Sequence, residues 1–129
     1  MLRLLAREEV HLVCTRDPAV ELTDAERRQL GGDDASKPDW QPPVAWLPRR
    51  REDLGQAAHV LVRPMDYWGM LEASGLAAGR TDALLRETLR VCLVAVNDDP
   101  AGVAPFLARP RPHLLLPLYE AVSALTWGN

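Results

Sequence analysis

Residues 81–96 read TDALLRETLRVCLVAV and lie in the longest part of the chain that contains no proline. Thr81 or Asp82 is suited to cap a helix at its start, because a side-chain oxygen there can accept a free backbone N–H. Four apolar residues then recur at helical spacing, which predicts a helix with one face toward a core. Those residues are Leu85, Leu89, Cys92 and Val96.

The end of this stretch, Val91–Val96, is apolar on every side. Periodicity alone does not separate a buried helix end from a buried strand in so short a run. We interpret the run as a buried helix end, and a buried strand stays the alternative.

Proline positions mark two further helices. The chain has eleven prolines, and none falls between Met65 and Asp99. Because proline disrupts helix interiors, this gap indicates regular structure, and we predict a helix over about 66–73 that Gly75 stops. A C-terminal helix is predicted to begin near 114–116, since Pro117 is tolerated only in a first turn.

The first forty residues combine a strand, a short helix and a polar loop. Val10–Thr15 alternates between apolar and polar residues, which predicts a strand. Thr23 and Glu26 form a capping-box pattern, which predicts a helix as far as about Leu30. The following segment, 31–39, is polar and contains glycine, which is typical of a loop.

Two short strands and two connections complete the predicted elements. We expect strands at Val44–Leu47 and His59–Arg63, joined by a long hairpin loop over 48–56. Residues 97–102 read NDDPAG and are typical of a turn, and 108–112 read as an extended connector.

These elements predict an α+β fold that is mainly helical, with a small antiparallel sheet, about three main helices and a polar N-terminal arm. The 129 residues suffice for one domain with its own core. Residues 1–40 carry six basic and nine acidic groups, whereas 41–129 carry nine of each. We therefore divide the chain into an acidic N-terminal arm, 1–40, and a packed α+β domain, 41–129.

The composition also bears on where the protein acts. The longest apolar run is far shorter than the roughly 20 residues needed to span a bilayer, and the start has no apolar signal region. We expect no membrane association and a location in a bacterial cytoplasm. The net charge of −3 argues against a nucleic-acid partner, because nucleic-acid binders usually carry a basic excess.

The sequence contains no recognisable catalytic, cofactor or metal-binding motif. His11, His59 and His113 are far apart in the chain, and none has a metal ligand at the usual spacing. Cys14 and Cys92 lie in apolar runs, which predicts free, buried and inert thiols. We therefore expect a protein that is not an enzyme, with no catalytic residues, no cofactor and no metal.

Two other features are candidate contacts. The run Arg49, Arg50 and Arg51 could contact phosphate, although Glu52 and Asp53 follow it, and a solvated hairpin tip is the favoured interpretation. The aromatic and methionine residues after Pro64 form either core or a binding groove. They are Tyr67, Trp68, Met70 and Leu71.

The order of these segments resembles that of small tail assembly chaperones of long-tailed bacteriophages. The segment from His59 to Trp68 is similar to the strand, Arg-Pro-Leu and helix entry of that family, with Met65 in place of the more usual leucine. Residues 15–20, TRDPAV, look like the Asp-Pro-Ala stretch that opens many members. The turn after Val96, the proline-rich connector and the C-terminal segment follow in similar order.

This resemblance implies a protein-binding factor that shields the apolar helices of the phage tape-measure protein and helps to recruit tail-tube subunits. It also implies self-association and a location in the host bacterial cytoplasm. The alternative is a structural virion subunit that contacts neighbouring subunits, such as a neck, connector or minor tail protein. The candidate partner surfaces combine the residues after Pro64 with a face of the C-terminal helix. That face comprises Leu118, Val122, Leu125 and Trp127.

Overall fold

The computed structural model describes residues 9–65, 69, 75, 81–108 and 111–127. Among these residues it has four strands and four α-helices, which confirms the α+β class. The prediction of three main helices did not include the short helix α3. In chain order the elements are β1 (Val10–Cys14), α1 (Asp24–Gly31), β2 (Trp46–Arg49), β3 (His59–Val62), α2 (Thr81–Cys92), β4 (Leu93–Val96), α3 (Val103–Ala108) and α4 (Pro112–Trp127).

The four strands form one antiparallel sheet in the order β2-β1-β3-β4. The predicted hairpin between the second and third strands is wrong, because β1 lies between them and pairs with both. The same pairing corrects the predicted division at residue 40. The strand assigned to an N-terminal arm lies inside the sheet of the packed domain, and its Leu12 and Val13 are buried.

The sheet has two faces of different character, because successive side chains of a strand point to opposite sides. One face bears Leu12, Val60 and Val62, which are all fully buried, and we call it the inner face. Helices α2 and α4 cover the inner face and complete the main core. The helical residues in that core include Leu89, Cys92, Leu115, Leu118 and Val122.

The outer face bears His11, Val13 and His59, and segments before β3 cover part of it. Val13 packs there with Leu54 and Ala57 in a second, smaller apolar cluster. The register places Val13 opposite His59 and therefore sets both histidine rings on this same face.

Helix α2 ends at Cys92, and strand β4 begins at the next residue. The prediction of a helix end over Val91–Val96 is therefore wrong from Leu93 onward, and the alternative of a strand is right there. The segment 93–96 pairs with β3, and its side chains alternate between buried and half-buried. Valine is favoured in strands whose two faces are at least partly covered. Pairing with β3 therefore decides between helix and strand, which the sequence periodicity could not do.

The C-terminal helix starts earlier than the predicted entry near 114–116. Pro112 is its first residue, and the amides of Leu114 and Leu115 donate to the Arg111 carbonyl. Pro117 lies inside the helix and removes one backbone donor, a cost that the packing of α4 on the sheet offsets. The helix predicted over 66–73 lies outside the described residues apart from Gly69, which is helical. Gly75 was predicted to stop that helix, but it is helical too, so the predicted end is wrong.

Several local predictions are confirmed. In α1 the Glu26 amide donates to Thr23 Oγ1, and Glu26 Oε1 accepts from the Thr23 amide, which is the expected capping box. Cys14 and Cys92 are buried and form no disulfide, and burial raises the pKa of the Cys14 thiol.

Candidate functional site

Two histidines that are 48 positions apart in the sequence meet on the outer face of the sheet. His11 stands opposite Leu61 and Val13 opposite His59, so the two histidines are diagonal neighbours on paired strands. Their ring centroids lie 5.2 Å apart in an edge-to-face arrangement. The fold thus brings together two histidines whose spacing in the sequence does not indicate that they are neighbours.

A tight turn after β4 adds a carboxylate to this pair. Asn97 and Asp98 both have positive φ, 49° and 66°, and Val96 and Asp99 exchange two backbone hydrogen bonds. Asn and Asp tolerate this left-handed conformation better than other non-glycine residues. The Asn97 side chain accepts from the His59 amide at 2.9 Å, which fixes the turn beside β3.

The polar contacts of the cluster leave two ring nitrogens without hydrogen bonds. His59 Nδ1 lies 3.3 Å from the Ala57 carbonyl, and His59 Nε2 lies 3.4 Å from Asp98 Oδ1. Among the described residues, His11 Nδ1 and His59 Nε2 are buried and have no hydrogen-bond partner. Buried polar atoms normally have partners, so this pair of nitrogens requires an explanation.

Arg51 places a positive charge at the edge of the cluster. Its guanidinium donates to Asp98 Oδ1 at 3.1 Å and comes within 3.5 Å of His11 Nε2. Burial, followed by the proximity of His59 and Arg51, lowers the pKa of His11 below its ordinary value of 6.5. These effects favour the neutral form of the His11 imidazole.

The cluster opens onto a groove of about 410 Å³. Residues at the start of β1 and the end of β2 line this groove, together with the 3-10 turn that begins at Arg51. His11 is one of the lining residues, so a solute in the groove can contact one member of the histidine pair. The other lining residues are Glu9, Val10, Pro48, Arg49, Arg50, Arg51 and Glu52.

His11, His59 and Asp98 are also the described residues that could hold a metal ion. Each offers one ligand atom, and these atoms all lie within 4.8 Å of one another. Sequence reasoning missed the set because it examined spacing along the chain. The available signal was that His11 and His59 both lie on predicted strands, but only the register shows that they share a face.

The three arginines proposed as a phosphate contact are already paired with carboxylates. Arg49 lies in β2 and forms a two-point contact with Glu26, at 2.6 and 2.9 Å, with both side chains only 15% exposed. Arg50 is near Glu52 and Asp53, and Arg51 binds Asp98. The three groups therefore serve separate contacts. Arg50 and Arg51 are mostly exposed, at 79% and 65%, and a phosphate contact there stays a prediction.

The predicted partner surface on α4 is also corrected. Leu118 and Val122 are fully buried in the main core, and Leu125 is half-buried against it. The side chain of Trp127 lies outside the described part of the structure, as do Tyr67, Trp68, Met70 and Leu71. The exposed large apolar residue of α4 is instead Leu116, half of which faces solvent.

Within the described ranges, no helix combines the length and apolar character needed to cross a membrane. Comparison with known proteins gave no match to a family model, to a curated protein sequence or to a solved structure.

Proposed function

We propose that this chain is a non-enzymatic, protein-binding factor in bacteriophage tail morphogenesis, which acts as a tail assembly chaperone toward the tape-measure protein. The proposal starts from the resemblance in segment order around His59–Trp68 and after Val96. It also rests on the expectation that the apolar helices of the tape-measure protein must be shielded from solvent until the tail is assembled.

The observation that carries the proposal is a large apolar side chain, Leu116, that α4 exposes to solvent. Its sixteen residues include one charged side chain, Glu120. One side, with Leu118 and Val122, is buried against the sheet, while Leu116 on the other side is half exposed. His113 and Glu120 are also exposed on α4, so its solvent side is mixed, with Leu116 as the apolar contact. An exposed apolar side chain on a helix is suited to pack against an apolar partner helix.

Substitution of Leu116 tests this surface. Because Leu116 is half exposed, Leu116→Arg is expected to leave the fold intact and to weaken capture of a co-expressed tape-measure helical segment about tenfold or more. Leu116→Met is the matched control, since it keeps an apolar side chain of similar size. If wild type and Leu116→Arg capture the helical segment equally well, the exposed side of α4 is not the binding surface.

The structural virion subunit remains the alternative function, and purified particles separate the two. A chaperone leaves before the tail is complete, so mass spectrometry of mature virions should not detect the chain. Its presence at a stoichiometric copy number would instead support a neck, connector or minor tail protein.

A further inference from the structure

We propose that His11, His59 and Asp98 form a binding site for a divalent transition-metal ion of the Zn²⁺ type. This inference goes beyond the proposed function and does not depend on it. Its basis is the geometry of the outer face, where three side chains of metal-ligating types converge from β1, β3 and the turn after β4.

The first argument comes from the two ring nitrogens without hydrogen bonds. A buried nitrogen that lacks a hydrogen-bond partner destabilises the fold, and here two such atoms lie in one small cluster. Both belong to histidine rings of the candidate site, His11 Nδ1 and His59 Nε2. A cation bound by the rings would satisfy groups that the described protein atoms leave without partners.

The second argument comes from the hydrogen bond on the far side of the His59 ring. The Ala57 carbonyl is an acceptor only, so Nδ1 carries the hydrogen in that 3.3 Å contact. On the other side of the ring, Nε2 faces the Asp98 carboxylate at 3.4 Å, so a nitrogen ligand and an oxygen ligand lie close together. A ring held by Nδ1–H to a backbone carbonyl is also the usual orientation of a metal-binding histidine.

The ligand set selects the class of metal. Imidazole nitrogen suits Zn²⁺ and its neighbours among the transition metals, whereas Ca²⁺ and Mg²⁺ prefer oxygen ligands. Two histidines and one carboxylate make three protein ligands, so a four-coordinate ion keeps one position for water or another small ligand. The groove that His11 lines lies beside this ligand set.

Arg51 competes with the ion in this arrangement. Its guanidinium donates to the same Asp98 oxygen that faces His59. The Arg51 side chain is 65% exposed, so it can turn into solvent when an ion binds. Removal of this competing positive charge should therefore strengthen metal binding, an effect opposite to that of removing a ligand.

Calorimetric titration of the chelator-treated full chain with Zn²⁺ tests the proposal, and Co²⁺ absorption gives a spectroscopic readout. We expect one ion per chain, with affinity reduced at least tenfold in His11→Gln, His59→Gln and Asp98→Asn. Asn is compatible with the left-handed backbone of position 98. Arg51→Ala should increase the affinity several-fold, and circular dichroism should show that each variant is folded.

The matched control is His113→Gln, because His113 is exposed on α4 and is not part of the cluster. Its Zn²⁺ affinity should equal that of wild type. The proposal is overturned if wild type shows no saturable binding, if His113→Gln loses as much affinity as the cluster variants, or if the cluster variants bind as wild type does. Unchanged or weaker binding by Arg51→Ala would overturn the competing role of that residue.

Discussion

The two faces of the sheet are built from the same strands and differ in almost every other respect. The inner face bears valine and leucine and is covered by α2 and α4. The outer face combines the small cluster around Val13 with two histidines, an ion pair from α1 and a solvent-accessible groove. One face thus supplies the main apolar core, while the other carries the polar groups that can bind a ligand.

This difference shows how a small domain accommodates polar chemistry without losing its core. Burial of a polar group is costly unless it has partners, and on the outer face the Ala57 carbonyl, Asp98 and Arg51 provide some of them, while His11 Nδ1 and His59 Nε2 have no hydrogen bond to a described residue. The rigid strands hold the rings of His11 and His59, whereas the carboxylate comes from a turn. Three predictions, ordered by the size of the expected effect, test whether the faces differ as described.

The largest effect is expected on the inner face. Leu118→Ala removes a fully buried side chain from the main core and should lower the free energy of unfolding by about 2–5 kcal/mol. Leu116→Ala, two residues earlier on the exposed side of the same helix, should cost about 1 kcal/mol or less. Urea unfolding followed by tryptophan fluorescence measures both. Similar losses in the two variants would contradict the assignment of one side of α4 to the core.

An intermediate effect is expected at the ion pair that closes the outer face. Burial opposes ionisation of Glu26, but the hydrogen bonds and charge of Arg49 and the contacts of Thr23 outweigh it and lower the pKa of Glu26 below its ordinary value of 4.5. The stabilising contribution is therefore fully present above pH 4.5 and is lost as the pH falls through the lower value of the folded state. Glu26→Gln should cost about 1–3 kcal/mol at pH 7.

The same variant should show a shallower loss of stability in acid, which urea unfolding at a series of pH values measures. Glu52→Gln is the matched control, because its carboxylate near Arg50 is 66% exposed and should contribute little. If the stability of Glu26→Gln depends on pH in the same way as that of wild type, the ion pair does not stabilise the outer face.

The smallest of the three effects is expected at the helix cap that positions Glu26. Thr23→Ala removes the oxygen that accepts from the Glu26 amide and should cost about 1 kcal/mol. Thr23→Ser keeps that oxygen and should lie close to wild type in thermal unfolding. Equal melting temperatures for the alanine and serine variants would show that the cap contributes nothing measurable.

Local signals in the sequence predicted the elements better than they predicted the pairing. The capping box at Thr23 and the helical spacing after Thr81 identify their helices because the responsible groups are neighbours in the chain. Strand order could not be predicted in this way, since β1 pairs with β2 and β3 across long loops. The run after Cys92 became a strand because an open edge of β3 was available to it.

The candidate site was missed for the same reason. His11 and His59 carry no common motif, and their proximity follows from the register that sets Val13 opposite His59. Asp98 was recognised as a turn residue, which it is, but its position beside His59 depends on the Asn97 contact to the His59 amide. The exposed position of Leu116 likewise depends on how α4 packs on the sheet.

The most direct test of the difference between the two faces is an NMR spectrum of the imidazole nitrogens, recorded while Zn²⁺ is added. We predict that ring nitrogens of His11 and His59, including Nε2 of His59, shift together until one ion per chain has been added, while those of His113 stay unchanged. The backbone amides of Leu89, Leu118 and Val122 in the main core should shift little. If no histidine responds, or if His113 responds in step with the other two, the outer face is not the binding face of this protein.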